Sequence, residues 1–224
     1  MTGALVNTGA VIAGSLIGLA VGDRLSERIK TSVLNSLGLV TLWLGVTMVI
    51  DGTRFLVIVG SLIIGGVMGE IVGIEGGLTR FADWLKARTG SSSGKFVNGF
   101  VTASLLFCVG PMTVVGSIQD GTVGDATLIF TKSVMDGFAA MALSAATGIG
   151  VIFSAVTVLV VQGSLTLLGQ SLAGLTEPES LNQLSAVGGL LMLGLGLRLL
   201  GIRDIPVANY LPALVIVAIV VVFF

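Results

Sequence analysis

Apolar residues run along this chain in blocks of about twenty, each closed by a short polar or glycine-rich break. A helix needs about 20 mostly apolar residues to cross a bilayer. Eight stretches have that character: 3–22, 32–50, 54–72, 97–116, 126–147, 150–172, 182–200 and 206–224. The pattern predicts an all-α, polytopic transmembrane helix bundle of about 8 spans, forming a single integral membrane domain over 1–224. Pro206 and Pro212 interrupt the start of the last stretch, so 7 spans, with that stretch in the interface, is the alternative. The fifth and sixth stretches are separated by the tight turn Gly148-Ile149-Gly150.

The break after the third stretch is the longest. Within it, GLTRFADWLKARTG places Leu78, Phe81, Trp84 and Leu85 on one helical stripe and Arg80, Lys86 and Arg88 on the wet side. This predicts an amphipathic helix over about 75–89, either lying on the headgroups or serving as a connector. The GSSSG stretch at 90–94 reads as a flexible linker at the midpoint of the chain.

Composition agrees with the span count. The chain is 54% hydrophobic and 10% charged, with a mean hydropathy of +1.08. Soluble domains carry about 25% charged residues. Assigning the breaks alternately to two sides sorts the charge. One side receives Arg24, Arg28, Lys30, Arg80, Lys86, Arg88, Lys95, Arg198 and Arg203; the other receives Arg54 with Asp51, Asp120, Asp125, Glu177 and Glu179. The positive-inside rule then places both termini, and the acidic side, outside the cytoplasm, and the amphipathic helix inside it. The N-terminus has no basic region ahead of its apolar run, so no cleavable signal is expected.

Several functions are disfavoured. The net charge is −1 without a basic run, so nucleic acid is not an expected partner. There is no histidine, which removes the usual metal ligand and general base. Cys108 is the one cysteine, so no intrachain disulfide forms. No nucleophile–base pair or metal-ligand cluster is evident, and no catalytic residue, metal or cofactor is expected.

Polar residues inside the spans carry the remaining signal. Lys132 and Asp136 lie one helical turn apart within TLIFTKSVMDGFAAMALSAATG, so they project from one face and can pair. Charge at that depth is costly and marks a bundle interior, a solute path or a cavity. Two readings stand: a neutralised pair that locks the bundle, or a switchable pair that opens when a solute or proton binds. Asp136, the deeper of the two, is the stronger candidate. In the fourth stretch Asn98 and Thr102 share a face, and Gly110-Pro111 interrupts the apolar run. Proline leaves a carbonyl without its helical donor. Such a break either exposes backbone to a solute or is a kink satisfied by a neighbouring helix. Gln119, Asp120 and Asp125 form either an acidic vestibule or ordinary turns, as Asp120-Gly121 and Gly124-Asp125 suggest. Glu70 lies near the cytoplasmic end of the third span, within reach of headgroup water. Asn7, Gln162 and Asn209 are intramembrane amides that can satisfy one another across helices.

The 33 glycines point to close helix packing. Gly14, Gly18 and Gly22 form one stripe; Gly65, Gly69, Gly73 and Gly77 form another. They also allow for a homodimer. SLGLVTLWLGVTMVI and AVGGLLMLGLGLRLL share a glycine spacing, Gly38 and Gly45 against Gly189 and Gly196, in spans of opposite direction. That is the mark of inverted repeats.

The stretches FVTASLLFCVG (100–110), KSVMDG (132–137), GIGVIFSA (148–155) and LSAVGGLLMLGLGL (184–197) resemble the YqgA-like bacterial membrane proteins. The resemblance covers nearly the whole chain. It implies a protein of the bacterial inner (plasma) membrane, in a family of unknown function with some members labelled as candidate transporters. It brings no substrate, cofactor or site residue. Pro111 departs from the small residue more usual at its position, so the helix break is read for this chain alone.

The expectation is a secondary transporter or permease for a small hydrophilic solute or ion, embedded in the lipid bilayer. Its site draws on Asp136, Lys132, Asn98, Thr102, Gly110, Pro111, Asp120, Glu70 and Asn7. The alternatives are a non-transporting structural or regulatory membrane protein and an ion channel. An enzyme is the least favoured class.

Overall fold

The computed structural model describes residues 1–90 and 94–223. The linker read at 90–94 falls largely on residues outside those described. Ten α-helices follow in order: α1 (Thr2–Gly22), α2 (Glu27–Ile50), α3 (Phe55–Val72), α4 (Ile74–Arg88), α5 (Phe96–Cys108), α6 (Pro111–Thr122), α7 (Thr127–Thr147), α8 (Ser154–Leu167), α9 (Pro178–Leu199) and α10 (Pro212–Phe223). Short 3-10 turns precede α8 and α10 and follow α8. All the regular elements among the described residues are helical, as the apolar blocks predict.

Among the described residues, six helices are long and apolar enough to cross a membrane: α1, α2, α3, α7, α9, and α8 with its leading turn, Ile149–Leu167. The stretch read as one continuous span at 97–116 is two helices, α5 and α6, bent by 60° at Gly110-Pro111. Pro111 starts α6 at a position where its missing N–H costs nothing. The last stretch is a shorter apolar helix, Val207–Val222, in place of a full span over 206–224.

Contacts at the glycines fix the direction of each helix. Side chains added at Gly14, Gly18 and Gly22 would meet the carbonyls of Gly137, Met141 and Ala145 in turn, so α1 and α7 run parallel with a constant register. Three crossings must therefore separate them. Helices α2 and α3 supply two, and the bent α5–α6 pair supplies the third, crossing once as a broken span. Helices α2 and α9 run antiparallel: Gly45 faces the Gly189 carbonyl, Gly189 faces the Gly45 carbonyl, and Gly196 faces the Gly38 carbonyl. Helices α3 and α10 are also antiparallel, with Gly65 against Ala213 and Gly69 against Asn209.

Helices α1, α2 and α3 thus meet α8, α9 and α10 in that order. The reciprocal glycine contact of α2 with α9 is a close antiparallel crossing, with backbone against backbone at Gly45 and Gly189. The glycine stripes are spent inside the chain, so they no longer argue for a second copy. One stripe is also shorter than the sequence suggests. Gly73 ends α3 at φ +71, and Gly77, in α4, has open space beside it.

Burial grades from rim to centre. α2 is 17% buried over its apolar window and α9 is 61% buried. α9 is therefore the central post, and α2 stands at the rim of the bundle. Helix α4 packs Ala82, Leu78 and Leu85 on the bundle while Phe81 and Trp84 stay largely exposed. Phe81 bridges Trp84 and Phe100 by ring contacts, fixing α4 across the start of α5.

Candidate functional site

The two charges of α7 are buried, Lys132 at 6% and Asp136 at 7% exposure. They form an ion pair on the face turned toward α1 and the α5–α6 break. Both follow from local sequence. TLIFTKSVMDG has no helix breaker before Gly137, so the pair keeps its one-turn spacing. Gly137 then lets the Ala10 backbone approach.

The break supplies the third partner. In an unbroken helix the N–H of residue 111 would bond to the carbonyl of residue 107, four positions back. Proline has none. The Lys132 ammonium takes that place, donating to Phe107 O at 2.9 Å. Thr113 Oγ1 donates to the same oxygen at 3.0 Å. A carbonyl freed inside the membrane is thus satisfied twice, by a cation and a hydroxyl. Asn7 of α1 completes the group, its Nδ2 donating to Asp136 Oδ2 at 2.9 Å. Asn7 is fully buried and its Oδ1 has no partner.

The structure therefore brings together five of the sequence-read site residues: Asp136, Lys132, Asn7, Gly110 and Pro111. The others stand apart. Thr102 Oγ1 donates to Asn98 Oδ1 at 3.2 Å. Both line a cavity of about 40 Å³ with Thr147 and Arg198. Thr102 precedes Phe107 by five residues, about 7.5 Å along the helix toward the end that carries Gly22. Asp120 is neither a vestibule nor a turn residue. It lies in α6, 8% exposed, and its Oδ2 accepts from Gly3 N at 3.0 Å and from the Met1 amino group at 2.9 Å. It caps the start of α1, where an anion suits the helix dipole. Asp125 does sit at a turn, beside Gly124 at φ +73. The Thr127 hydroxyl and backbone N–H hold its carboxyl below the usual range.

Glu70 does more than reach water. Asn209 Nδ2 donates to its Oε2 at 2.6 Å, and Asn209 Oδ1 accepts from Glu75 N at 2.7 Å. Glu75 in turn accepts from Ala208 N at 2.9 Å and pairs with Arg198, which also reaches Asp204 at 3.0 Å. This clasp ties the α3–α4 elbow to the segment after α9. Asn7, Gln162 and Asn209 accordingly do not satisfy one another. The first is on Asp136 and the last on Glu70 and Glu75, while Gln162 is fully buried with both amide atoms unpaired.

Sequence reading missed the Phe107 carbonyl, Thr113 and the Glu75–Arg198 pair. A proline at 111 does announce an orphan carbonyl at 107. The long-range Glu75 pairing leaves no local signal.

Comparison with known proteins follows the same outline. The profile of the family described as "Protein of unknown function (DUF554)" matches residues 2–222. The chain belongs to this family. It is 32% identical over 219 residues to "Uncharacterized protein YqgA" of Escherichia coli (strain K12), covering 96% of this chain and 93% of that protein. It is 30% identical over 225 residues to "Uncharacterized membrane protein YdfK" of Bacillus subtilis (strain 168), covering 99% and 96%. No solved structure matches. This family member is a membrane protein, and the polar group at its broken span is its most distinctive internal feature.

Proposed function

We propose that the chain is a small secondary transporter or permease for a small hydrophilic solute or ion, working by alternating access around Lys132 and Asp136. One observation carries the reading: a broken span places an orphan carbonyl beside a buried ion pair, and the ammonium bridges the two. Discontinuous helices of this kind hold ions and solutes in transporters related by inverted repeats. A pair that only neutralised itself would need no break beside it. The helix directions put nine of the eleven basic residues at the Gly22 end. That end faces the cytoplasm, both termini face away from it, and the membrane is the bacterial plasma membrane.

A second reading has its own support. The Phe107 carbonyl is satisfied twice and the pair is nearly closed to solvent, which suits a structural lock. Proteoliposome uptake of labelled ions, amino acids and organic acids separates the two. Transport by the wild type that Asp136→Asn abolishes, with the fold intact, supports the transporter. Unchanged transport by that variant sinks the proposed role of Asp136.

A further inference from the structure

We propose that the break in the fourth span is a site for a small monovalent cation, of the Na⁺ or K⁺ class, which the chain fills with its own Lys132 ammonium. The inference builds on the transport reading and names the ion that would drive it.

Consider what surrounds the Lys132 nitrogen. Phe107 O lies 2.9 Å away at the C-terminal end of α5, where the helix dipole favours positive charge. Asp136 Oδ2 is in contact with it. Asn7 Nδ2 holds that same carboxylate oxygen, so the amide sits at the site, and its Oδ1 is fully buried without a partner. Oδ1 makes no bond to the ammonium, but it is a buried, unpaired carbonyl oxygen on the residue that holds Asp136, and it becomes a ligand if the amide turns toward an incoming cation; leaving it unpaired costs about 1–3 kcal/mol. Backbone carbonyl, amide carbonyl and carboxylate are hard oxygen donors, suited to hard cations. Only one carries formal charge. Among the described residues no group of three His, Cys, Asp or Glu could hold a metal. A single negative charge balances one positive charge, so a monovalent ion fits and a divalent one is left uncompensated.

Lys132 also has somewhere to go. It lies five residues into α7, about 7.5 Å from that helix's first residue. An extended lysine stem covers about 6 Å of that distance, which carries the ammonium most of the way toward interfacial water. Withdrawing the ammonium and admitting a cation keeps the site neutral in both states. Lys132 is then a tethered competitor for the ion, and exchange between the two is the switching step.

The test removes the tether. Purified Lys132→Ala is unfolded thermally in Na⁺, K⁺ or choline chloride at matched ionic strength. Na⁺ or K⁺ should raise its midpoint by about 3 °C or more over choline. The wild type should shift less, and Lys132→Ala/Asp136→Asn not at all. Lys132→Ser serves if the alanine variant does not fold. In the wild type itself, acetylation of Lys132 read by mass spectrometry should rise with Na⁺ or K⁺ over choline. Variants no more cation-dependent than wild type, or acetylation indifferent to the cation, overturn the proposal. Those results leave solute transport through Asp136 intact, because uptake is measured separately.

Discussion

The Lys132 ammonium lies 2.9 Å from the Phe107 carbonyl, the oxygen that Pro111 leaves without a helical donor. A charged side chain on one helix thus closes a backbone gap in another. The link makes a concrete prediction. Pro111→Ala restores the N–H that Phe107 lacks, and the α5–α6 helix becomes free to straighten. The variant should be about as stable as wild type in thermal unfolding, because Pro111 stands at the first position of α6, where its missing N–H costs nothing. Its transport should fall about tenfold or more, since Lys132 loses its second partner. A variant that transports normally would detach the break from function.

A double-mutant cycle tests the pair itself. Removing one member of a buried ion pair strands the other and costs about 3–5 kcal/mol, while replacing both with apolar residues is often near neutral. Lys132→Met and Asp136→Leu should each lower unfolding stability by about 3 kcal/mol, and the double variant by much less. Additive losses would show that the two charges act independently.

Glycine packing gives opposite signs at neighbouring positions. A methyl group at Gly14 or Gly18 would collide with the backbone carbonyl of Gly137 or Met141. Overpacking of this kind costs about 1–3 kcal/mol. Gly9 and Gly60 lie in the same classes of helix with nothing within 4 Å. Gly9→Ala and Gly60→Ala should instead stabilise by about 0.5–1 kcal/mol. Denaturation curves in detergent decide both signs.

Much of this was legible in the sequence, because each unbroken span must carry its own run of about 20 apolar residues. Lys132 and Asp136 were readable as a pair because one helical turn separates them. Glycine spacing marked Gly38, Gly45, Gly189 and Gly196 as a shared pattern in opposite spans, though not that these glycines meet one another. What the sequence hid is long-range. Asp120 looked like a turn residue beside Gly121, yet it caps α1 from α6. Glu70 looked wet, yet Asn209 holds it from 139 positions away. The 60° bend was visible only as Gly110-Pro111, and its outcome depended on whether another helix could supply a donor to Phe107. Hydrophobic pattern specifies which faces are buried, but not which polar groups meet there.

The clasp at the Gly22 end should behave as a structural tie. Arg198 and Glu75 are 18% and 16% exposed, so solvent screens them only partly. Arg198→Leu should cost about 1–3 kcal/mol in thermal unfolding, and Glu75→Gln somewhat less because its bond to the Ala208 N–H survives. No loss in either variant would show that the segment after α9 is held by packing alone.

Orientation is open to direct labelling. In a Cys108→Ala background, Val123→Cys should react with an impermeant thiol reagent applied to intact cells. Thr89→Cys should react only after the membrane is opened. The reverse pattern would invert the assignment of the basic end to the cytoplasm.

The central claim is that Asp136 belongs to a solute or ion site. Its most direct test is a thermal-shift screen of purified protein against ions, amino acids and organic acids, with Asp136→Asn alongside. The account predicts at least one compound that stabilises the wild type and fails to stabilise the variant. A variant that is merely less stable, with no compound protecting the wild type, would contradict it and leave Lys132 and Asp136 as a lock on the bundle.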